Sequence, residues 1–343
     1  MTRRGVILFA ALGIAWGIPY VFIKIAVSEL DPAMLVFSRS ALAAILLLPI
    51  ALFRREVLVV LKRWKPMLAY TVVEIILPWY FLSAAELHLP SSTVGLLIAA
   101  VPLAGVGIAF LMGRPAHLTG LNWLGIGAGM LGVAALVGLD VAGSDLVGVA
   151  MLIVVVIGYA LGPAILARWM PDLPGVGVVT VSLAGAAIAY IPVVLLTGTW
   201  PSHWPSTPVI TSVVVLAVVC SALAFLLMVA LIGEIGPVKA TAITYVNPAV
   251  AILAGVLILG ERVTVWTIVG FVLVLAGSYL VTLRSRRLVD AAPSAVAATA
   301  ASAGGDLVHR ADGVAERREH EDADTAVERR ARGDANSEIA QRE

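Results

Sequence analysis

Three ionisable side chains, Lys24, Arg39 and Glu74, stand inside stretches that are otherwise apolar and long enough to span a bilayer. A charge at bilayer depth costs about 2.5–3.5 kcal/mol even on insertion scales, so each needs a reason. By the rise of a helix, Lys24 lies about 5 Å inside its stretch, Arg39 about 9 Å and Glu74 about 10 Å. Lys24 can snorkel to the headgroups on its four-carbon stem, or it can pair or gate. Arg39 stays charged and wants a fixed partner. Glu29 or Asp31 in the loop before it would make it a structural clamp; the other reading is contact with a bound molecule. Glu74 is a carboxylate in low dielectric, able to take and release a proton near neutral pH, as a proton-coupled step requires. An ion pair with Arg39 or Lys24, or a partly hydrated lining position, is the competing explanation. No second acid falls inside an apolar stretch to relay a proton onward.

Proline adds a second signal. Stretch 241–262, TAITYVNPAVAILAGVLILGER, has Asn247-Pro248 at its centre, and stretch 93–114, TVGLLIAAVPLAGVGIAFLMGR, is a paler copy with Pro102 in register. A mid-helix proline lacks an N–H and crowds the carbonyl four residues back, here Ile98 and Thr244. In hydrocarbon such a carbonyl must find a partner, so these breaks belong against other helices or a wet cavity. Two matching breaks at mid-membrane depth point to a binding site between two repeats. Asn247 offers a donor and an acceptor there, for polar groups of a bound molecule or for bracing the backbone. Trp16, Tyr20, Trp79, Tyr80, Tyr159 and Tyr245 also lie within apolar stretches, whereas Trp123, Trp200, Trp204 and Trp266 sit near their ends as an interfacial belt.

The elements that must position these residues are transmembrane helices. The 343 residues are 60% hydrophobic and only 13% charged, with a mean hydropathy of +1.00. A soluble domain is closer to half apolar and a quarter charged. A span takes about 20 apolar residues, which predicts helices over 5–27, 33–53, 67–85, 91–112, 119–139, 146–166, 175–196, 208–232, 238–259 and 264–283. The first carries Trp16, Pro19 and Lys24 and is too long for a cleaved signal peptide, so it stays. Cys220 is alone, so there is no disulfide framework. No metal-ligand spacing and no phosphate loop occurs, so no metal, cofactor or ATP-driven step is expected, and nothing points to nucleic acid.

With the N-terminus in the cytoplasm, the inner segments hold Arg3, Arg4, Arg54, Arg55, Lys62, Arg63, Lys65, Arg114, Arg168, Lys239, Arg284, Arg286 and Arg287, and the outer loops only Arg262. That bias places both termini inside. The loop 54–65 reads as a topogenic loop rather than a surface-lying helix. The halves repeat: Gly125 and Gly132 correspond to Gly270 and Gly277, each pair a smooth stripe for close helix packing. Such stripes serve packing within a chain or between chains, which leaves the oligomeric state open. Five spans per repeat is an odd number, so the second copy enters from the opposite side, an inverted repeat of the kind common in secondary transporters. The expected division is a first repeat over 1–140, a second over 141–287, and a disordered, cytoplasmic C-terminal tail over 288–343. That tail holds 12 of the 22 acidic residues and little to build a core.

Stretch 15–49, AWGIPYVFIKIAVSELDPAMLVFSRSALAAILLLP, with its Trp-Gly, the lysine late in span one and the arginine in span two, resembles the first repeat of the EamA-type transporters of the drug/metabolite transporter superfamily. Stretch 241–262 and the following VTVWTIVGFVLVLAGSYLV are similar to that family's closing helices. The resemblance covers 5–284. It implies an all-α integral membrane protein of ten helices in two inverted five-helix repeats around a central cavity. It also implies secondary transport in the inner membrane, often export of amino acids or other small metabolites, with Trp16, Tyr20 and Tyr245 to Pro248 on the cavity wall. Two places depart from the family pattern: Gly158-Tyr159 lacks the Trp-Gly of span one, and Arg114 stands where Glu261 stands in the other half. The resulting expectation is alternating access about a site of Trp16, Tyr20, Glu74, Pro102, Tyr245, Asn247 and Pro248, with Lys24 and Arg39 as structural or gating charges. The rival readings are a sensor or scaffold signalling through the tail, and a membrane enzyme, for which no convergent polar residues are seen.

Overall fold

The computed structural model describes residues 2–111, 120–136, 146–236, 240 and 242–284. The expected tail, Arg114 and the expected repeat boundary lie outside them. In chain order the apolar helices are α1 (Arg3–Ala26), α2 (Pro32–Phe53), α3 (Trp64–His88), α4 (Ser91–Ile108), α5 (Gly120–Ala135), α6 (Leu146–Trp169), α7 (Gly175–Thr197), α8 (Thr207–Ile235), α9 (Ile243–Leu259) and α10 (Val265–Val281). Seven are long and apolar enough to cross a membrane, and α5, α9 and α10 are shorter. Exposed apolar side chains such as Ile45, Leu131, Ile188 and Leu257 cover the outside of the bundle, a surface that suits lipid rather than water.

Helix partners follow a rule. α2 packs on α7, α4 on α9 and α5 on α10, while α3 packs on α6 and α1 on α8. Exchanging each helix for the one five places away returns the same list, the signature of two related halves. The glycine stripes bring α5 and α10 into close contact. A Cβ on Gly125 would lie 2.8 Å from the Gly277 carbonyl, and one on Gly132 would lie 2.7 Å from the Val274 nitrogen. Backbone meets backbone there, so the expected stripes close an interface within the chain.

Among the described residues, four of the helices are irregular within their length. Pro19 crowds the Ala15 carbonyl, so α1 is interrupted at Ile18 and restarts with Pro19 as its first helical residue. α4 is parted into Ser91–Ile98 and Val101–Leu111. Ala99 and Ala100 close the first piece with tight bonds to Leu96 and Leu97, and Pro102 falls in the first turn of the second, where its missing N–H matters little. α9 runs unbroken through Pro248. The expected pair of matching breaks is therefore one break and one continuous helix, because Pro248 is flanked on both sides by residues that keep helical form. The remaining two irregularities are π-turns, Thr71–Ile76 in α3 and Val218–Leu223 in α8, each of six residues and at the same station of its half.

Predicted ends shift where the turn chemistry decides them. α3 was expected to stop at Ala85 but continues to His88, because the residue that must leave helical form is Leu89, extended before Pro90. This places Glu86 in the helix, fully buried. Loop 54–65 contains a short helix, Glu56–Leu61, whose Glu56 Oε2 accepts from the Gly177 N–H at 2.7 Å in the first turn of α7.

Candidate functional site

A cavity of about 250 Å³ lies between the halves. One water needs about 10–15 Å³, so there is room for a small molecule. Trp16, Tyr20, Glu74, Pro102, Tyr245, Asn247 and Pro248 all line it, and so does Arg39; Lys24 does not. The irregular backbone described above surrounds it. The α1 interruption supplies Tyr20, the α4 break Pro102, one π-turn Glu74 and the other Cys220. π-turns cluster at functional sites because the extra residue re-aims a side chain and frees a carbonyl. Here the Ile76 carbonyl accepts from Tyr190 Oη at 2.9 Å, which keeps the first π-turn satisfied. At the α4 break, the Ala99 carbonyl accepts from Ser278 Oγ of α10 at 2.9 Å.

Arg39 enters the cavity wall from α2, only 7% exposed. The guanidinium carbon sits 3.8 Å from the Trp79 ring centroid, and Nε donates to Ser221 Oγ at 3.1 Å. Ser221 in turn donates to the Leu216 carbonyl at 2.8 Å, which leaves its lone pairs for the arginine. The expected clamp to Glu29 or Asp31 is not made. Asp31 caps α2 through the Ala33 N–H at 2.8 Å, and Glu29 accepts from the Ser206 N–H at 2.7 Å at the start of α8. Both acids are drawn to helix N-termini, where backbone N–H groups and the helix dipole favour a carboxylate. Among the described residues no carboxylate pairs with Arg39.

Glu74 faces the same cavity from α3. Its Oε2 is buried without a hydrogen-bond partner, and no described ion pair includes it. Gly162 of α6 makes the room: any side chain there would collide with Oε2. Gly158, a turn earlier, would put a Cβ 2.5 Å from the Val73 carbonyl, so both glycines seat the π-turn. Asn247 Oδ1 is a second buried acceptor without a partner on the wall. Trp16 packs edge-on against Phe225, ring centroids 6.1 Å apart, and Tyr245 Oη donates to the Ser278 carbonyl at 3.4 Å.

Lys24 does not snorkel. Its Nζ donates to the carbonyls of Glu86 and of Leu89, the latter at 2.9 Å, closing the end of α3. Beside this corner, Glu261 Oε1 accepts from the Ser91 N–H at 2.7 Å and Oε2 from the Ser92 N–H at 2.9 Å, capping α4 from the end of α9. Burial works to raise the Glu261 pKa, but the hydrogen bonds from Ser92 and Ser91 outweigh it and hold the carboxyl below its ordinary value. Bonds from the Ser206 side chain and backbone likewise hold Glu29 low. Sequence reasoning missed Ser221, Gly162 and Glu86. Only Gly162, in the run Gly158 to Pro163, left a readable trace.

A profile of the EamA-like transporter family matches residues 3–138 and 146–283, so each half carries one copy. The chain belongs to the EamA-like transporter family. The chain is 29% identical over 283 residues to YedA of Escherichia coli (strain K12), named an uncharacterized inner membrane transporter, covering 79% of this chain and 90% of that one. To YvbV of Bacillus subtilis (strain 168), named an uncharacterized transporter, it is 23% identical over 289 residues, covering 82% and 93%. A solved crystal structure superposes with a TM-score of 0.59 at 18% identity, over 84% of this chain and 100% of that one, which bears on fold alone. Among the described residues no group of His, Cys, Asp and Glu could hold a metal ion.

Proposed function

We propose that this membrane transporter is a secondary carrier of the inner membrane that exports amino acids or similarly small zwitterionic metabolites by alternating access. Ten spans in two inverted five-helix repeats would place both termini in the cytoplasm, and the cavity between the repeats would be the substrate site. Both similar proteins carry transporter in their names, and YedA's places it in the inner membrane. The observation that carries the reading is one wall holding a cation and another an acid, neither joined in a described ion pair: Arg39 from α2 and Glu74 from α3. A substrate with a carboxylate and an ammonium would answer both charges. Arg39 gives a planar fork suited to a carboxylate. Glu74 takes the ammonium or, when the substrate leaves, a proton, which would couple the two movements. Trp16, Tyr20 and Tyr245 provide the apolar and aromatic wall, and Asn247 Oδ1 a further acceptor.

The reading is tested by counterflow in liposomes carrying the purified protein, against a panel of zwitterionic amino acids, their decarboxylated amines and their deaminated acids. Exchange of the zwitterions with weak competition from both truncated series is expected. Equal competition by amines and zwitterions would remove Arg39 from substrate recognition.

A further inference from the structure

Glu86 plays no part in the cavity, yet it is the least supported polar side chain in the described structure. It is 0% exposed, and neither carboxyl oxygen has a hydrogen-bond partner. The groups that act on it are few. Lys24 of α1 lies at its backbone carbonyl, and among the described residues Glu261, from the connection after α9, is the only other charge to reach it. Tyr20 of α1 is within electrostatic reach of Glu86 while its ring lines the cavity. From α2, α4 and α6, which also pack on α3, no charged side chain bears on it among the described residues. The corner thus holds two carboxyls and one ammonium, and their surroundings differ. Glu261 has two backbone N–H donors at a helix N-terminus, the setting for an ionised carboxylate. Glu86 has no donor, and the one ammonium nearby is spent on carbonyls. Burying an ionised carboxylate without donors is prohibitive. Two neighbouring carboxyls in unlike environments divide the roles of acid and base between them.

We propose that Glu86 is a proton-binding site that controls the corner between α3 and α4. In this structure the site is loaded, the carboxyl neutral. Release of its proton to the outer aqueous face leaves a carboxylate whose best partner is Lys24. The ammonium then exchanges the carbonyls of Glu86 and Leu89 for the carboxylate. That frees the last turn of α3 beside the start of α4, whose break at Ala99–Ala100 lies on the cavity. Glu86 would thereby be a second proton site, distinct from Glu74 and reached from the other side of the membrane. The outward direction and the link to flux rest on the transporter reading above; the protonation of Glu86 does not.

Infrared difference spectroscopy on the full-length protein in liposomes, titrated with pH, separates the two. Wild type should show a protonated-carboxyl stretching band that fades as pH rises. Glu86→Gln should lack that band, whereas Glu74→Gln keeps it. Because glutamine copies a neutral carboxyl, Glu86→Gln should unfold at the wild-type temperature, and Lys24→Gln should move the fading of the band to higher pH. In counterflow, Glu86→Gln should exchange substrate with its pH dependence flattened. A band unchanged in Glu86→Gln, or a variant that loses its fold while Glu86→Asp keeps it, would mean an ionised, paired Glu86 and overturn the proposal. Absence of exchange in wild type as well would count against the transport reading while the spectra still decide Glu86.

Discussion

The π-turns at Thr71–Ile76 in α3 and Val218–Leu223 in α8 occupy one station in the two halves, and what each offers the cavity differs. The fourth residue of the first is Glu74, with a carboxyl oxygen that meets no donor. The fourth residue of the second is Ser221, which spends its hydroxyl on Leu216 and receives Arg39. The same backbone device therefore delivers an acid from one half and, from the other, the serine on which Arg39 of α2 docks. A repeated fold supplies matched positions, and the chemistry comes from where the copies have parted. The same contrast separates α4 from α9. Pro102 follows a true break whose carbonyl is held by Ser278, whereas Pro248 sits in a continuous helix.

Several substitutions would break or sharpen this contrast. The largest effect belongs to what the halves share. Gly277→Leu drives a side chain into the backbone of α5 and should cost about 3 kcal/mol or more, read as a lowered unfolding temperature in detergent. Arg39→Ala comes next. Losing a charged hydrogen-bonding group costs about 1.5–3 kcal/mol, so substrate titrations should show affinity about ten- to a hundredfold weaker. Arg39→Lys should not restore it, because a point charge lacks the planar fork. Ser221→Ala removes only the brace behind that arginine, and about 0.5–1.5 kcal/mol predicts a two- to tenfold loss in the same titration.

The smallest of these concerns Glu261, whose place in the other half is taken by Arg114, outside the described residues. Its folded pKa is held low, so its contribution is fully present above the usual glutamate value near 4.3 and fades as pH falls through the lowered folded value. Unfolding followed from neutral to acid pH should show this loss in wild type. Glu261→Gln should be less stable at neutral pH by about 0.5–1 kcal/mol and should show less change through that window.

Much of this was legible in the residues. Proline register, the glycine pairs and the family resemblance together led to residues that do share one cavity. Tertiary choices were not legible. Nothing in the spacing of Glu29, Asp31 and Arg39 says that both acids prefer helix N-termini, since those N-termini come from distant chain or from the next turn. Lys24 finds its carbonyls 62 and 65 residues away. The run Glu86 to Pro90 looks like a loop, and only the extended Leu89 before Pro90 shows that the helix holds three residues longer and buries an acid. The π-turns left no common sequence mark, since Thr71–Ile76 is β-branched throughout but for Glu74 and Val218–Leu223 only at its two valines.

The measurement that bears most directly on the account is substrate flux in liposomes with and without an imposed pH gradient, for wild type beside Glu74→Gln. The account predicts gradient-driven flux in wild type, and in the variant a carrier that still exchanges substrate but no longer responds to the gradient. Equal response to the gradient in both would contradict it, leaving Glu74 as part of the wall and not of the coupling.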